Sequence, residues 1–331
     1  MTAPRVIFAR TGAIGNALAA VPALRALRKA RPEAFIALIL EPASSQALAG
    51  CPYVDEILVY DKRGADSGLD GWLRMAFQMR KRRFTHAILS KRFLRMSLLA
   101  FLSGASVRVG FEGFGFAINR AVKWNPKEHV VKTNLDLLAA LGITPCGYDL
   151  EIWPTIEDKE SAEQFLKDHN LLNHPFTVAI HPGGVSHHGY LWPIENFVKL
   201  AECLDDAYSA APIFLGGPQD ARELETVARL TGGKYPICDR LNIRAAAHLI
   251  SRCRIFIGSD SAPSHLACAV GTPEIIYYDI RPDREECIAR WFPLTGAAIA
   301  AGPVSPGKHI TVTRMMEYVE ELMEKIEKAR R

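Results

Sequence analysis

The sequence predicts an α/β protein built from two Rossmann-like domains, each a doubly wound parallel sheet. Three observations predict it. Short apolar runs alternate with amphipathic segments along the whole chain. The alternation forms two series, separated near 145–175 by "TPCGYDLEIWPTIEDKE" and its surroundings. Glycine-rich turns follow several of the apolar runs. Strands separated by helices require crossover connections, and crossovers make sheets parallel. A length of 331 residues corresponds to about two domains at ~150 residues each. The expected domains are 1–150 and 170–331, facing one another, with the C-terminal helix free to pack back on the first domain.

In the first series, "RVIFA" (5–9) is a strand, "TGAIGN" a glycine turn, and 16–30 a helix rich in Ala and Leu. "FIALIL" (35–40) is a strand, 43–49 a short helix and "VDEILVY" (54–60) a strand. The segment 68–83 reads as a helix ending in a basic run. "HAILS" (86–90) is a strand, "FLRMSLLAFLSG" a helix and "VRVGF" (107–111) a strand. The following "EGFGFAINRAVKWNPKE" has glycines, Asn and Pro without a period, which predicts a loop. "VKTNLDLLAALGI" (131–143) is an amphipathic helix ending at a glycine stop.

In the second series, "FTVAIHPGG" (176–184) is a strand with a glycine turn, and Pro193 opens the helix "PIENFVKLAECLDD". "APIFLGGPQD" (211–220) repeats the strand and turn, and "ARELETVARLTGG" is a helix. "NIRAAAHLISRC" is a helix, "IFIGSD" (255–260) a strand, "APSHLACAVG" a helix, "PEIIYYD" (273–279) a strand, and the tail from Arg314 an amphipathic helix.

Composition excludes several classes. The net charge of +4 is too small and too dispersed for a nucleic-acid binder. No apolar run approaches the ~20 residues that span a bilayer, and the opening strand lacks the features of a secretory signal. Seven scattered cysteines, none in a CxxC pair, read as buried thiols of a reducing cytoplasm, not as disulfides or a zinc site.

Ligands of such sheets bind where glycine turns and helix N-termini meet at the C-terminal strand edge. Four turns carry suitable residues: "TGAIGN" in the first half, and "HPGGVSHHGYLWP", "LGGPQD" and "GSDSAPSH" in the second. Gly183 and Gly184 permit close backbone approach, Ser186 offers a hydroxyl, and a helix dipole favours an anion. Asp260 and Ser261 stand at a helix cap, with His265 one turn on. Each turn alone is explained by connection or capping. Four on one kind of edge favour a nucleotide-type pocket.

The order "GAIGN", "RVGF", "NLDLLAALGI", "HPGG…WP", "GGPQD" and "SDSAPSHLACAVGTPEIIYYD" resembles glycosyltransferase family 9, the ADP-heptose:lipopolysaccharide heptosyltransferases of GT-B fold. The likeness runs over nearly the whole chain and is most specific at 258–282. It implies a donor site in the second domain and an acceptor site in the first. Donor contacts fall on Gly183, Gly184, Ser186, Tyr190, Asp220 (ribose), Leu241 (adenine, through its backbone), Asp260, Ser261, Ala262 and His265. The implied reaction is inverting transfer through an oxocarbenium-like state. Its donor is a nucleotide-diphosphate sugar, ADP-linked on the family pattern, and neither cofactor nor metal is called for.

Two positions depart from the pattern. The family's first turn reads Gly-Asp, and that Asp is the proposed base for the acceptor hydroxyl; here Gly15 is followed by Asn16. An amide can position a hydroxyl but cannot take its proton near pH 7. Tyr190 stands where a phosphate-neutralising Lys is common, with His187 and His188 nearby as substitutes. Glu112 and Asp61 are alternative bases, each more simply read as a solvated loop acid.

An anionic glycan or glycolipid acceptor is expected at Gly15 of the first turn and from Arg10, Lys62, Arg63, Lys91 and Arg92, which follow strand ends. The run Arg80–Arg83 precedes a strand and so belongs to the opposite edge, as a solvated surface or a patch touching the cytoplasmic face of the inner membrane. The leading expectation is therefore a cytoplasmic heptosyltransferase-like enzyme. The alternative is a nucleotide-sugar-binding homologue without turnover, which Asn16 favours. A dehydrogenase is weak, because "TGAIGN" lacks the third glycine of G-x-G-x-x-G.

Overall fold

The structure is a computed structural model describing residues 3–113, 115–184, 192–278, 283–302 and 309–330. The chain divides into two compact units, Met1–Trp153 and Pro154–Arg331.

The first unit holds β1 (Arg5–Ala9), β2 (Phe35–Leu40), β3 (Glu56–Val59), β4 (His86–Leu89), β5 (Val107–Phe111) and β6 (Arg120–Val122) in one sheet, ordered β3-β2-β1-β4-β5-β6. All pairings are parallel, with Ala9 level with both Ile39 and Leu89. Val6 to Ala9 and Ile36 to Leu40 are all buried. These strands show no alternation because helices cover both faces. The helices are α1 (Ile14–Leu18), α2 (Val21–Ala30), α3 (Pro42–Ala47), α4 (Gly68–Lys81), α5 (Leu94–Leu102) and α6 (Val130–Ala139).

Two expectations are corrected here. The helix at 16–30 is two helices, α1 and α2, joined at Ala19–Ala20. Pro22 lacks the amide that would continue the ladder to Leu18, and its ring crowds that carbonyl. The loop after "VRVGF" contains β6, a three-residue edge strand with two exposed members, too short to show a period.

The second unit repeats the plan with β7 (Thr177–His181), β8 (Ala211–Leu215), β9 (Ile237–Cys238), β10 (Ile255–Ser259), β11 (Glu274–Tyr277) and β12 (Ala298–Ala301), ordered β12-β11-β10-β7-β8-β9, all parallel. Its helices are α7 (Ile156–Asp168), α8 (Ile194–Tyr208), α9 (Ala221–Thr231), α10 (Ile243–Arg252), α11 (Ala262–Val270), α12 (Arg284–Trp291) and α13 (Val312–Arg330). The expected linker is largely structure. The unit boundary falls at Trp153–Pro154, and Thr155 caps α7 in a reciprocal box with Asp158. The C-terminal helix α13 packs on α8, β11 and β12 of its own unit. Met315, Val319, Leu322 and Ile326 are its buried stripe. Trp192, fully buried, meets Phe197 edge-on at 4.9 Å and donates to the Ile310 carbonyl at 2.9 Å. Among the described residues no helix is long and apolar enough to cross a membrane.

Each sheet reverses its winding once, between β1 and β4 and between β7 and β10. The crevice outside such a switch point is where open α/β sheets take ligands.

Candidate active site

At the first switch point the chain leaves β1 at Arg10 and β4 at Ser90. Arg10 is buried, yet its guanidinium is well partnered. Nη1 donates to the Ser90 carbonyl (2.8 Å), Nε to the Asn16 carbonyl (3.2 Å) and Nη2 to Asn16 Oδ1 (2.6 Å). Because Oδ1 accepts from Arg10, the amide's Nδ2 is left as the outward donor.

The Gly12 turn lies beside it, held by Ser44 Oγ donating to the Gly12 carbonyl at 2.7 Å. Gly12 has φ +131°, and a Cβ there would stand 2.8 Å from Lys91 Nζ and 3.3 Å from Asn16 Nδ2. The lysine amine and the asparagine amide therefore flank one point above Gly12. Burial, reinforced by the charges of Arg10 and Lys62 and opposed by Glu41, lowers Lys91 to about 8. Lys62 pairs with Glu41 at 2.7 Å. Arg10, Lys62 and Lys91 thus bring three basic side chains together at this edge of the first sheet.

Of the other predicted acceptor residues, Gly15 is buried within α1 and Arg63 is exposed. Arg92 donates to the Glu112 carbonyl at 3.0 Å. Asp61 closes its own turn, accepting from the amides of Gly64 (2.9 Å) and Ala65 (3.2 Å). The basic run lies at the opposite edge, as expected. There Arg82 pairs with Glu56 at 2.6 Å, while Arg5 Nε donates to the Arg82 carbonyl at 2.7 Å.

At the second switch point the turn after β7 carries Gly183 and Gly184, and Asp260 and Ser261 follow β10. His181, the last residue of β7, is buried between them. Its Nδ1 is 3.1 Å from Ser261 Oγ and its Nε2 is 3.4 Å from Asp220 Oδ2. Asp220 Oδ2 also accepts from the Gly217 amide at 2.8 Å. Burial pushes the Asp220 carboxyl up, but His181 and the amides of Gly217 and Gly184 outweigh it and hold it below the ordinary range. A Cβ on Gly183 would collide with Asp220 Oδ1, so glycine is needed there for space. His181 thus ties three of the expected donor turns together.

Ser261 caps α11. The Ser264 hydroxyl closes on its backbone, accepting from the amide at 3.4 Å and donating to the carbonyl at 2.8 Å. Ala262 opens α11, and the His265 ring lies 5.4 Å from that of Trp291. Leu241, just past β9, lines a 520 Å³ cleft with Phe165, Ala221, Leu224 and Cys238. Ser186, His187, His188 and Tyr190 lie outside the described residues. Among the described residues no group of three His, Cys, Asp or Glu side chains converges as a metal site.

The sequence reading missed three positioning residues. Asn134, fully buried on α6, accepts from Ser90 Oγ (2.5 Å) and donates to the Ala19 carbonyl (2.7 Å). It links the end of β4 to the α1–α2 break. An Asn on the apolar face of "VKTNLDLLA" was the available signal. Ser44 and His181 carried no such signal, because their partners are remote in sequence.

A family model described as glycosyltransferase family 9 (heptosyltransferase) matches residues 72–293. The chain belongs to glycosyltransferase family 9. Among curated relatives of this glycosyltransferase, the lipopolysaccharide core heptosyltransferase OpsX of Haemophilus influenzae is 24% identical over 281 residues, 81% of this chain and 77% of that one. Lipopolysaccharide heptosyltransferase 2 of Escherichia coli is 21% identical over 277 residues, 80% of each chain. The glycosyltransferase is similar in fold to a family 9 structure from Veillonella parvula (TM-score 0.88, 21% identity, 98% of both chains). It is also similar to E. coli ADP-heptose lps heptosyltransferase II (TM-score 0.79, 16% identity, 98% and 99%). Its two Rossmann-like units are those of the GT-B heptosyltransferases.

Proposed function

We propose that this heptosyltransferase-like enzyme moves a heptose from an ADP-linked donor to a hydroxyl of an anionic glycan or glycolipid. The observation that carries this reading is that both sheets place polar constellations at their switch points, with different chemistry. The first offers Arg10, Lys62 and Lys91 around a neutral amide, which suits a phosphorylated or carboxylated acceptor. The second offers glycine turns, the capped start of α11 and the Asp260 carboxylate, which suit a diphosphate and sugar hydroxyls. The cleft at Leu241 suits the nucleobase.

On this reading the transfer is inverting. The acceptor oxygen displaces the diphosphate directly, and the amides near Gly183 and Gly184 and the dipole of α11 stabilise the leaving charge without a metal.

The acceptor's lipid matches a further feature. Leu69, Leu73 and Phe77 recur every four residues along α4 and are 67%, 48% and 70% exposed. Phe101, Leu102 and Phe116 are exposed as well, the rings of Phe101 and Phe116 being 6.4 Å apart. Arg80 reaches the carbonyl of Leu102, bringing basic charge to these apolar groups. An apolar stripe rimmed by Arg and Lys fits the anionic cytoplasmic leaflet, each basic residue adding ~1 kcal/mol.

A thermal-shift panel of ADP-, UDP- and GDP-sugars tests the donor assignment. A ligand at 100 times its Kd stabilises by about 2.7 kcal/mol, so ADP-heptose is expected to move the midpoint most. An equal or larger shift with UDP- or GDP-sugars refutes the assignment. Donor binding with no transfer to any phosphorylated core glycan would favour the non-catalytic alternative.

A further inference from the structure

The tip of the first turn carries no base, and the nearby Glu41 carboxylate is paired with Lys62 at 2.7 Å. Direct displacement of a diphosphate by a sugar hydroxyl releases a proton, and the side chain at the tip of the first turn is Asn16. Its Oδ1 is occupied by Arg10, and an amide has no useful basicity. Among the acids weighed from the sequence, Asp61 is committed to its own turn, while Glu112 is exposed on the loop after β5.

The geometry points to Lys91 as the general base, taking the proton of an acceptor hydroxyl that Asn16 holds. This rests on the transferase reading above and deepens it. Lys91 Nζ and Asn16 Nδ2 flank the same point over Gly12, which the missing Cβ of that residue, at φ +131°, leaves open. Among the described residues the Lys91 amine has no hydrogen-bond or ion-pair partner; its contact is the Phe93 ring, with the centroid 5.5 Å away. Asn16 Nδ2 donates to the hydroxyl oxygen, leaving the hydroxyl proton free to point at Nζ.

The step balances. Neutral Nζ takes the hydroxyl proton as the acceptor oxygen bonds to the anomeric carbon. The bond from that carbon to the diphosphate oxygen breaks, and its electron pair leaves with the nucleoside diphosphate. The resulting ammonium returns its proton to solvent.

The charged groups around the amine poise it for this role. Arg10 after β1 and Lys62 after β3 disfavour the ammonium, Glu41 at the start of α3 favours it, and burial disfavours it most. A base works best when its pKa lies near the working pH. An amine lowered to about 8 is neutral in about a tenth of molecules at pH 7, a far larger share than for an ordinary lysine at about 10.4.

The test uses the full chain with ADP-heptose and O-deacylated lipopolysaccharide core as probes. The kcat of the wild type is expected to rise with pH through a midpoint near 8. Lys91→Met should lose about 10²–10⁴-fold in kcat with donor Kd and melting temperature unchanged. Lys91→Arg keeps the charge but cannot lose its proton, so it should be equally impaired. Added ethylamine should restore turnover to Lys91→Ala. Near-normal turnover by Lys91→Arg would make Lys91 an anion-binding group and overturn the proposal.

A second measurement needs no turnover: the pH dependence of Lys91 acetylation by acetic anhydride, read by peptide mass spectrometry. A midpoint near 8 supports the proposal, and one near an ordinary lysine value overturns it. Failure of the wild type to bind or use ADP-heptose would instead strike the donor reading, leaving this second result to judge Lys91.

Discussion

Arg10 holds Asn16 twice, through Nη2 to the side-chain oxygen at 2.6 Å and through Nε to the main-chain oxygen at 3.2 Å. A third bond runs from Nη1 to the Ser90 carbonyl at 2.8 Å, so one guanidinium fixes the first glycine turn against the end of β4. This arrangement orients the amide at the candidate active site.

Arg10→Lys keeps the charge and removes the fork, since one ammonium cannot serve three acceptors in that plane. A misplacement of about 1 Å at a reacting centre can cost about 10²-fold in rate. We expect kcat for heptosyl transfer to fall by roughly that factor while donor affinity, which the proposed function assigns to the other unit, is unchanged. Unaltered kcat would show that Asn16 needs no such orientation.

The second unit depends on Asp158. Its carboxylate accepts from the Thr155 amide (2.9 Å), Asn242 Nδ2 (2.7 Å) and Arg244 Nε (2.7 Å), joining α7 to α10. Burial raises its pKa, but these three donors overcome that and bring it down to about 2. Its stabilising contribution is therefore complete above the usual 3.8 and lost as pH falls toward 2. Asp158→Ala removes the shared acceptor of three donors, one of them a charged guanidinium, and should cost about 3 kcal/mol in urea unfolding at pH 7. The gap between variant and wild type should narrow below pH 4; a constant gap would place the effect in packing alone.

Glu274 is the opposite case. It is buried at the start of β11, Oε2 has no hydrogen-bond partner, and burial pushes its carboxyl well above the usual 4.5. The fold keeps a proton that the unfolded chain releases, so stability is lost as pH rises above 4.5. Glu274→Gln has no proton to release. Its free energy of unfolding relative to wild type should rise between pH 4.5 and 7.5, at about 1.4 kcal/mol per pH unit until the folded carboxyl ionises. An offset independent of pH would mean that the carboxyl titrates normally.

The α4 stripe predicts vesicle binding. The chain should sediment with phosphatidylglycerol vesicles and not with neutral phosphatidylcholine ones. Replacing Leu69, Leu73 and Phe77 together by Ser should weaken binding at least about tenfold without lowering the melting temperature, because these side chains are exposed. Equal retention of the triple variant would remove the stripe from the membrane contact.

The central strands β1, β2, β7, β8 and β10 were legible because they are short, mostly apolar runs, and β1, β7 and β8 lead into a glycine turn. β6, β9 and β12 were not: with two to four residues each, they borrow their conformation from a neighbour's edge. The α7 helix hid in an apparent linker despite its Thr155–Asp158 capping box, because its buried stripe is only Ala162 and Leu166 besides the cap.

The sequence by itself determined the two parallel sheets and which turns would stand at their C-terminal edges, because strand and helix periods and glycine positions are local properties. It also determined that Asn16 cannot be a base, which follows from the residue type. Only the tertiary structure decided that Arg10 turns the Asn16 amide outward, that His181 bridges Asp220 and Ser261, and that Lys91 sits over Gly12. Those relations join residues 6 to 80 positions apart, and the charge state of a lysine depends on which groups folding packs around it.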